Sequence, residues 1–262
     1  MILSESEQLF RLLSDNISGS STLLSKLNDY FKQLNHDNHL SPSLILEIQE
    51  KTKPFQNIQN YLKHLLELLD SNSDLDQYFC SFNSKESILF RILSDKLKTK
   101  LKPKTRIVTF SNSKTITEVL SLLNIDNYNL DIYISESRPM NEGRIMCLEL
   151  AERGIKVTLV TEAMLSNTIE KCDFVLIGAD IIMNNCSIVN KVGSRSLAII
   201  CKYFKKDLYV ISSSEKRSGS NNFTQRFGQR NEIWDITNNR VEIINSYFEV
   251  VEKELISEII TD

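Results

Sequence analysis

Apolar positions in the first hundred residues recur at helical spacing. Ser4 and Glu7 pattern as a capping box ahead of Leu9, Phe10, Leu12 and Leu13. Leu23, Leu24, Leu27, Tyr30, Phe31 and Leu34 form a second stripe, and Ser41-Pro42 opens a third helix in the favoured cap and first-turn positions. Phe55, Ile58, Leu62, Leu65, Leu66 and Leu69 mark a fourth helix, and Ile88, Leu89, Ile92, Leu93 and Leu97 a fifth. From Arg106 the pattern changes to short apolar runs alternating with periodic stretches. Strands are predicted at 107–110, 130–134, 155–160, 174–177 and 208–211, with helices around 116–123, 144–152, 163–170 and 196–203. Such alternation predicts a parallel sheet with right-handed crossovers. The lysine-rich stretch from Lys98 to Lys104 with Pro103 reads as a linker. The expected organisation is therefore an N-terminal helical domain over 1–103 followed by a Rossmann-like α/β domain over 104–262.

Polar residues follow every predicted strand of the second domain: Ser111-Asn112-Ser113, Glu136-Ser137-Arg138, Thr161-Glu162, Gly178-Ala179-Asp180 and Ser212-Ser213-Ser214. Open α/β sheets bind ligands at that rim. Phe174 to Ile177 is apolar throughout, as a strand buried on both faces must be, so Asp180 lies just past a central strand. About ten residues on, Asn190-Lys191-Val192-Gly193-Ser194 precedes a helical stripe; a lysine and free N–H groups at a helix start make an anion site. Taken alone, Asp180 is equally a turn cap and the second motif only a helix entrance. Their meeting on one rim, with an Arg and several hydroxyls, suits a small polyhydroxylated phosphorylated ligand. The polar stretch from Asp15 to Ser21, with Gly19 and its serines, is either a plain turn or a source of exposed N–H groups. Lys216 to Gln229, with Arg217 and Arg226, reads as a mobile, solvated basic loop.

Composition narrows this only slightly. A net charge of -3 gives no global pull toward nucleic acid or an anionic membrane. No apolar run is long enough to span a bilayer, and Met1-Ile2-Leu3 leads into acidic residues, so a cytoplasmic protein is expected. Cys80, Cys147, Cys172, Cys186 and Cys201 form no CxxC, which predicts reduced thiols and no zinc. His36-Asp37-Asn38-His39 is too polar and isolated to expect a metal. No GxGxxG follows a strand, so no nicotinamide is expected, and no other cofactor.

Ser135-Glu136-Ser137-Arg138-Pro139, Glu142-Gly143-Arg144, Gly154-Ile155-Lys156-Val157-Thr158, Gly178-Ala179-Asp180 and Asn190-Lys191-Val192-Gly193-Ser194 together resemble one superfamily. It contains the alpha, beta and delta subunits of translation initiation factor 2B, methylthioribose-1-phosphate isomerase and ribose-1,5-bisphosphate isomerase. The resemblance covers the second domain and extends to the helical domain through Ser18-Gly19-Ser20 and Lys53-Pro54. It implies a helical domain, a Rossmann-like domain, a phosphosugar pocket between them, and dimers or larger assemblies with related subunits. It implies catalytic roles for Asp180 and for the residue at Ser111. It also implies ligand binding by Gly19, Ser20, Lys53, Arg138, Glu142, Asn190 and Lys191; Glu142 stands where the methylthioribose enzyme has a glutamine. The isomerases end the first strand Thr-His-Cys-Asn, whereas this chain has Thr109-Phe110-Ser111-Asn112. A serine hydroxyl is a far weaker acid than a cysteine thiol, and Phe110 supplies no base to activate it. The expected function is a factor 2B subunit-like protein that binds a sugar phosphate or nucleotide without cysteine-dependent catalysis. The alternatives are an aldose-ketose phosphate isomerase working through Asp180, alone or with Glu142 or Glu136, and a scaffold with no ligand.

Overall fold

The computed structural model describes residues 5–15, 18–53, 55–71, 73–225, 227–238 and 240–262. Ser4 of the capping box, Asn16 and Ile17 of the polar stretch, Pro54 and Arg226 lie outside them. Helices α1 (Glu5–Leu13), α2 (Ser20–His36), α3 (Pro42–Lys51), α4 (Gln56–Asp70) and α5 (Leu75–Lys98) come first. The predicted stripes form their core: Leu27, Phe31 and Leu34 of α2, Ile45 and Ile48 of α3, and Ile58, Leu62 and Leu65 of α4 are fully buried. Asn28 joins them because its polar atoms are satisfied, accepting from the Tyr61 hydroxyl at 2.9 Å and donating to the Phe79 carbonyl.

By its contacts the chain divides into two units, residues 1–90 and 91–262. The division falls inside α5, whose last turns pair with the second unit: Arg91 and Lys98 reach Asp126 at 3.0 and 2.8 Å. In chain order that unit runs β1 (Lys104–Thr109), α6 (Lys114–Ile125), β2 (Asn129–Ser135), α7 (Glu142–Glu152), β3 (Val157–Val160), α8 (Leu165–Glu170) and β4 (Phe174–Ile177). It continues with β5 (Ile181–Ile182), β6 (Ile188–Lys191), α9 (Ser194–Phe204), β7 (Asp207–Ile211), β8 (Phe248–Val251) and β9 (Glu258–Ile260).

Six of these strands form one sheet in the order β3-β2-β1-β4-β7-β9, and every neighbouring pair is parallel. Val108, Val175, Ile177 and Val210 from the sheet meet Leu165 and Ile169 of α8 and Leu197, Ala198 and Cys201 of α9 in one buried cluster. The apolar runs predicted this sheet. They did not predict β9, nor the second sheet, in which β5, β6 and β8 pair antiparallel. Asn190 and Lys191, read from the sequence as a helix entrance, are the last residues of strand β6. The expected basic loop also differs: it is anchored at its start, where Lys216 is only 7% exposed. Buried lysines are rare, and nothing in a Ser-Glu-Lys-Arg run marks one.

Close approach fixes the start of α7. A Cβ on Gly143 would lie 1.8 Å from the Ser135 carbonyl oxygen at the end of β2, and the Gly143 N–H donates to the Glu136 carbonyl. Backbone cannot yield as a flexible side chain can. Gly143→Ala is expected to cost the sheet unit more than about 3 kcal/mol, or to prevent its folding, in urea denaturation followed by the single Trp234. A loss below about 1 kcal/mol would contradict this packing.

Candidate functional site

In the strand order β3-β2-β1-β4-β7-β9, the chain winds one way from β1 and the other way from β4. The carboxyl ends of these two neighbours therefore form the switch point of the sheet, where ligands bind in such folds. Ser111 follows β1 and Asp180 follows β4. The two loops touch: a Cβ on Gly178 would sit 3.2 Å from the Ser113 hydroxyl, which in turn caps α6.

Hydrogen bonds order the rim on the β1 side. Ser111 has φ 63° and Ser137, after β2, has φ 65°. Non-glycine residues pay about 1–2 kcal/mol for that left-handed backbone, and such residues gather at functional sites. The Ser111 N–H donates to the Ser137 hydroxyl at 2.8 Å, and the Ser137 N–H donates to the Glu162 carboxylate after β3. Three successive strand ends are thus tied together by polar contacts.

On the β4 side the β5–β6 hairpin returns the chain to the rim. The Asp180 N–H donates to the Val189 carbonyl at 2.9 Å, which sets the half-buried Asp180 beside Asn190. Lys191 is 6% exposed, and its ammonium donates to Glu142 Oε1 at 2.6 Å; Glu142 is 3% exposed. The same ammonium lies 5.6 Å from the centre of the Tyr247 ring. Asn190 Nδ2 donates to the Ser194 hydroxyl at 2.9 Å, and that hydroxyl donates to the Lys191 carbonyl at 2.7 Å.

The helix start that the sequence marked as a free anion site is already filled. Glu249, on β8 opposite Asn190, accepts from the Gly193 N–H at 2.6 Å and the Arg195 N–H at 2.8 Å. A carboxylate there satisfies orphan donors and the helix dipole together. The approach that allows this is set by Phe110: Gly193 has φ 104°, and a Cβ on it would lie 2.5 Å from the Phe110 ring. Phe110 is thus a packing residue between β1 and α9.

Sequence reasoning brought Ser111, Asp180, Glu142, Asn190 and Lys191 to one unit, and the structure joins Glu142 to Lys191 and sets Asp180 by Asn190. Arg138 is exposed, and its guanidinium donates to the Ile233 carbonyl at 3.1 Å. Gly19, Ser20 and Lys53 belong to the helical unit: Gly19 is the N-cap of α2, Ser20 is buried, and Lys53 is an exposed side chain paired with Glu50. The residue that sequence reasoning missed is Lys216. Its ammonium donates to the Ala179 carbonyl at 2.9 Å, one residue from Asp180. Burial pushes Lys216 below the ordinary lysine range, and the charge of Asp180 offsets part of that shift.

The cysteines supply no thiol after β1. Cys172 and Cys201 are buried in the sheet core, and burial pushes the Cys172 thiol up to about 11. Among the described residues no group of three or more His, Cys, Asp or Glu side chains is arranged to hold a metal. No described helix is long and apolar enough to cross a membrane.

The depressed Lys216 makes stability depend on pH with a definite sign. Above its folded-state pKa the folded chain has released a proton that the unfolded chain still holds, so stability rises with pH toward the ordinary lysine value of about 10.4. Lys216→Met is expected to remove that contribution and to be at least as stable as the parent at pH 7, in urea denaturation across pH. An unchanged pH slope would contradict the burial.

The initiation factor 2 subunit family model matches residues 3–262. The chain is 28% identical over 161 residues to translation initiation factor eIF2B subunit alpha of Caenorhabditis elegans, covering 60% of this chain and 52% of that protein. It is 27% identical over 220 residues to methylthioribose-1-phosphate isomerase of Trichoplax adhaerens, covering 77% and 59%. The chain thus spans little more than half the length of these curated relatives. The crystal structure of the Pyrococcus horikoshii OT3 translation initiation factor eIF-2B shares the fold, with a TM-score of 0.80 at 21% identity over 99% of this chain and 95% of that one. With nearly its whole length matched, the chain belongs to the initiation factor 2 subunit family.

Proposed function

We propose that this chain is a factor 2B subunit-like protein that binds a sugar phosphate or nucleotide at the β1–β4 switch point, without cysteine-dependent catalysis. The observation that carries this reading is the convergence there of Asp180, Lys216 and Ser111, with the buried Glu142–Lys191 pair beside them. Burying the Lys216 ammonium costs several kcal/mol unless it is well paired, which favours a working role for it over a purely structural one. Ser111 serves as a hydrogen-bonding group, since a serine hydroxyl is a weak acid and Phe110 is spent on packing. Arg138 would reach the ligand only after leaving Ile233.

Assembly belongs to the same reading. Strand β3 is an edge of the main sheet, and Leu159 on it and Leu148 on the adjacent α7 are 40% and 66% exposed. An uncovered edge with apolar neighbours favours a second copy or a related subunit. The protein is proposed to act in the cytoplasm through such assembly.

A second reading is kept because Lys216 stands beside Asp180. A carboxylate and a cation together could move a proton between adjacent sugar carbons and hold the charge that develops, which makes an aldose-ketose phosphate isomerase working through Asp180.

Thermal unfolding with D-ribose 5-phosphate, 5-methylthioribose 1-phosphate, ribose 1,5-bisphosphate and AMP tests the proposal. At least one is expected to raise the midpoint by several degrees, since a ligand at 100 times its Kd stabilises by about 2.7 kcal/mol. No rise with any of them would defeat it. NMR of the stabilised mixture is expected to show no ketose. Ketose that forms with Ser111→Ala but not with Asp180→Asn would replace the first reading with the second.

A further inference from the structure

We propose that a cleft lined by Arg230 and Arg240, in the chain between β7 and β8, takes a phosphate group, free or as a monoester. The cleft has a volume of about 460 Å³, and Val241, Glu242 and Ile243 complete its walls. None of the rim residues lines it. Both arginines are exposed, and neither guanidinium has an ion-pair or hydrogen-bond partner among the described residues. That sets them apart within the sheet unit, where Arg91, Arg144, Arg153 and Arg195 each meet a carboxylate at 2.6–3.0 Å. Glu232, the acidic residue closest in sequence to Arg230, is spent elsewhere: it accepts from Asn245 Nδ2 at 2.6 Å and from the Tyr247 hydroxyl at 2.5 Å.

The backbone that carries the two arginines is held in place. The Arg230 carbonyl accepts from the Ile233 and Trp234 N–H groups at 3.1 and 3.2 Å, and the Arg240 N–H donates to Asn238 Oδ1 at 2.9 Å. Gly228, just before Arg230, donates its N–H to the Asn245 carbonyl at 2.8 Å. A site held ready loses less on binding than one that must be ordered. Single exposed charges bind weakly, but two guanidinium forks lining one cleft offer more donors than a carboxylate has oxygens to accept them. A phosphate monoester has three acceptor oxygens and close to two negative charges, which matches two forks. Two arginines against Glu242 leave the cleft one net positive charge, so Glu242 weakens the attraction without cancelling it.

Trp234 is the single tryptophan, and its N–H is bonded to the Arg230 carbonyl, so its fluorescence reports on this cleft. The full chain is titrated with inorganic phosphate at an ionic strength kept constant with sodium chloride. A saturable change is expected in roughly the millimolar range or below. Replacing both arginines by glutamine (Arg230→Gln with Arg240→Gln) is expected to weaken it at least about tenfold. Replacing both by lysine keeps the charge but loses the forks, and is expected to weaken it about threefold or more. Glu242→Gln is expected to tighten it, because a like charge leaves the cleft. These exposed substitutions should leave the thermal midpoint near that of the parent. Phosphatidylcholine vesicles with and without phosphatidic acid separate the sources: a response that needs phosphatidic acid and is lost in the double glutamine variant assigns the phosphate to a lipid headgroup. No response to free phosphate or to these vesicles overturns the inference, as does a response that sodium chloride reproduces or weaker binding in Glu242→Gln. Phosphate that still binds the double glutamine variant with parental affinity sits elsewhere, which overturns this inference and leaves the proposed function standing.

Discussion

One buried ion pair organises the sheet unit around its rim. Glu142 is the first residue of α7, packed beside the main sheet, and Lys191 is the last residue of β6 in the small antiparallel sheet. Their 2.6 Å contact spans the two sheets where water hardly reaches. Removing one partner of such a pair leaves an uncompensated buried charge and typically costs about 3–5 kcal/mol, whereas the intact pair adds little net stability. Its value lies in position. It holds the small sheet against the carboxyl ends of the parallel strands, and it depends in turn on Gly143, the residue that lets α7 come against Ser135.

Around that pair the polar groups of the rim sort by task. Glu249 caps α9, Glu162 holds the Ser137 loop, and Phe110 fills the space under Gly193. These make the frame. Asp180, Lys216, Ser111 and Glu142 are the groups of the rim on which the proposed function rests. The chain's relatives include both translation factor subunits and sugar-phosphate isomerases, so one architecture serves more than one function. After β1 this chain has a serine in left-handed backbone next to a buried phenylalanine.

The parts of this arrangement that the sequence disclosed are those with strong local signals. Phe174 to Ile177 is apolar throughout because β4 is buried on both faces, and Asp180 and Asn190-Lys191 stand out as polar groups against apolar flanks. The β5–β6 hairpin was hidden because its strands are short and its turn, Asn184-Asn185-Cys186, uses Cys186 at φ 63° in place of the usual glycine. Lys216 was hidden for a different reason. A lysine inside a Ser-Glu-Lys-Arg run looks solvated, and only the long-range packing that brings it to the Ala179 carbonyl buries it. The cap on α9 could not be read locally either, since Glu249 lies on a strand paired with β6 far along the chain from Gly193.

A crystal structure of the protein with D-ribose 5-phosphate bound tests the central claim most directly. The proposed function places the sugar at the carboxyl ends of β1 and β4, in contact with Asp180. A sugar seated away from this rim would contradict it.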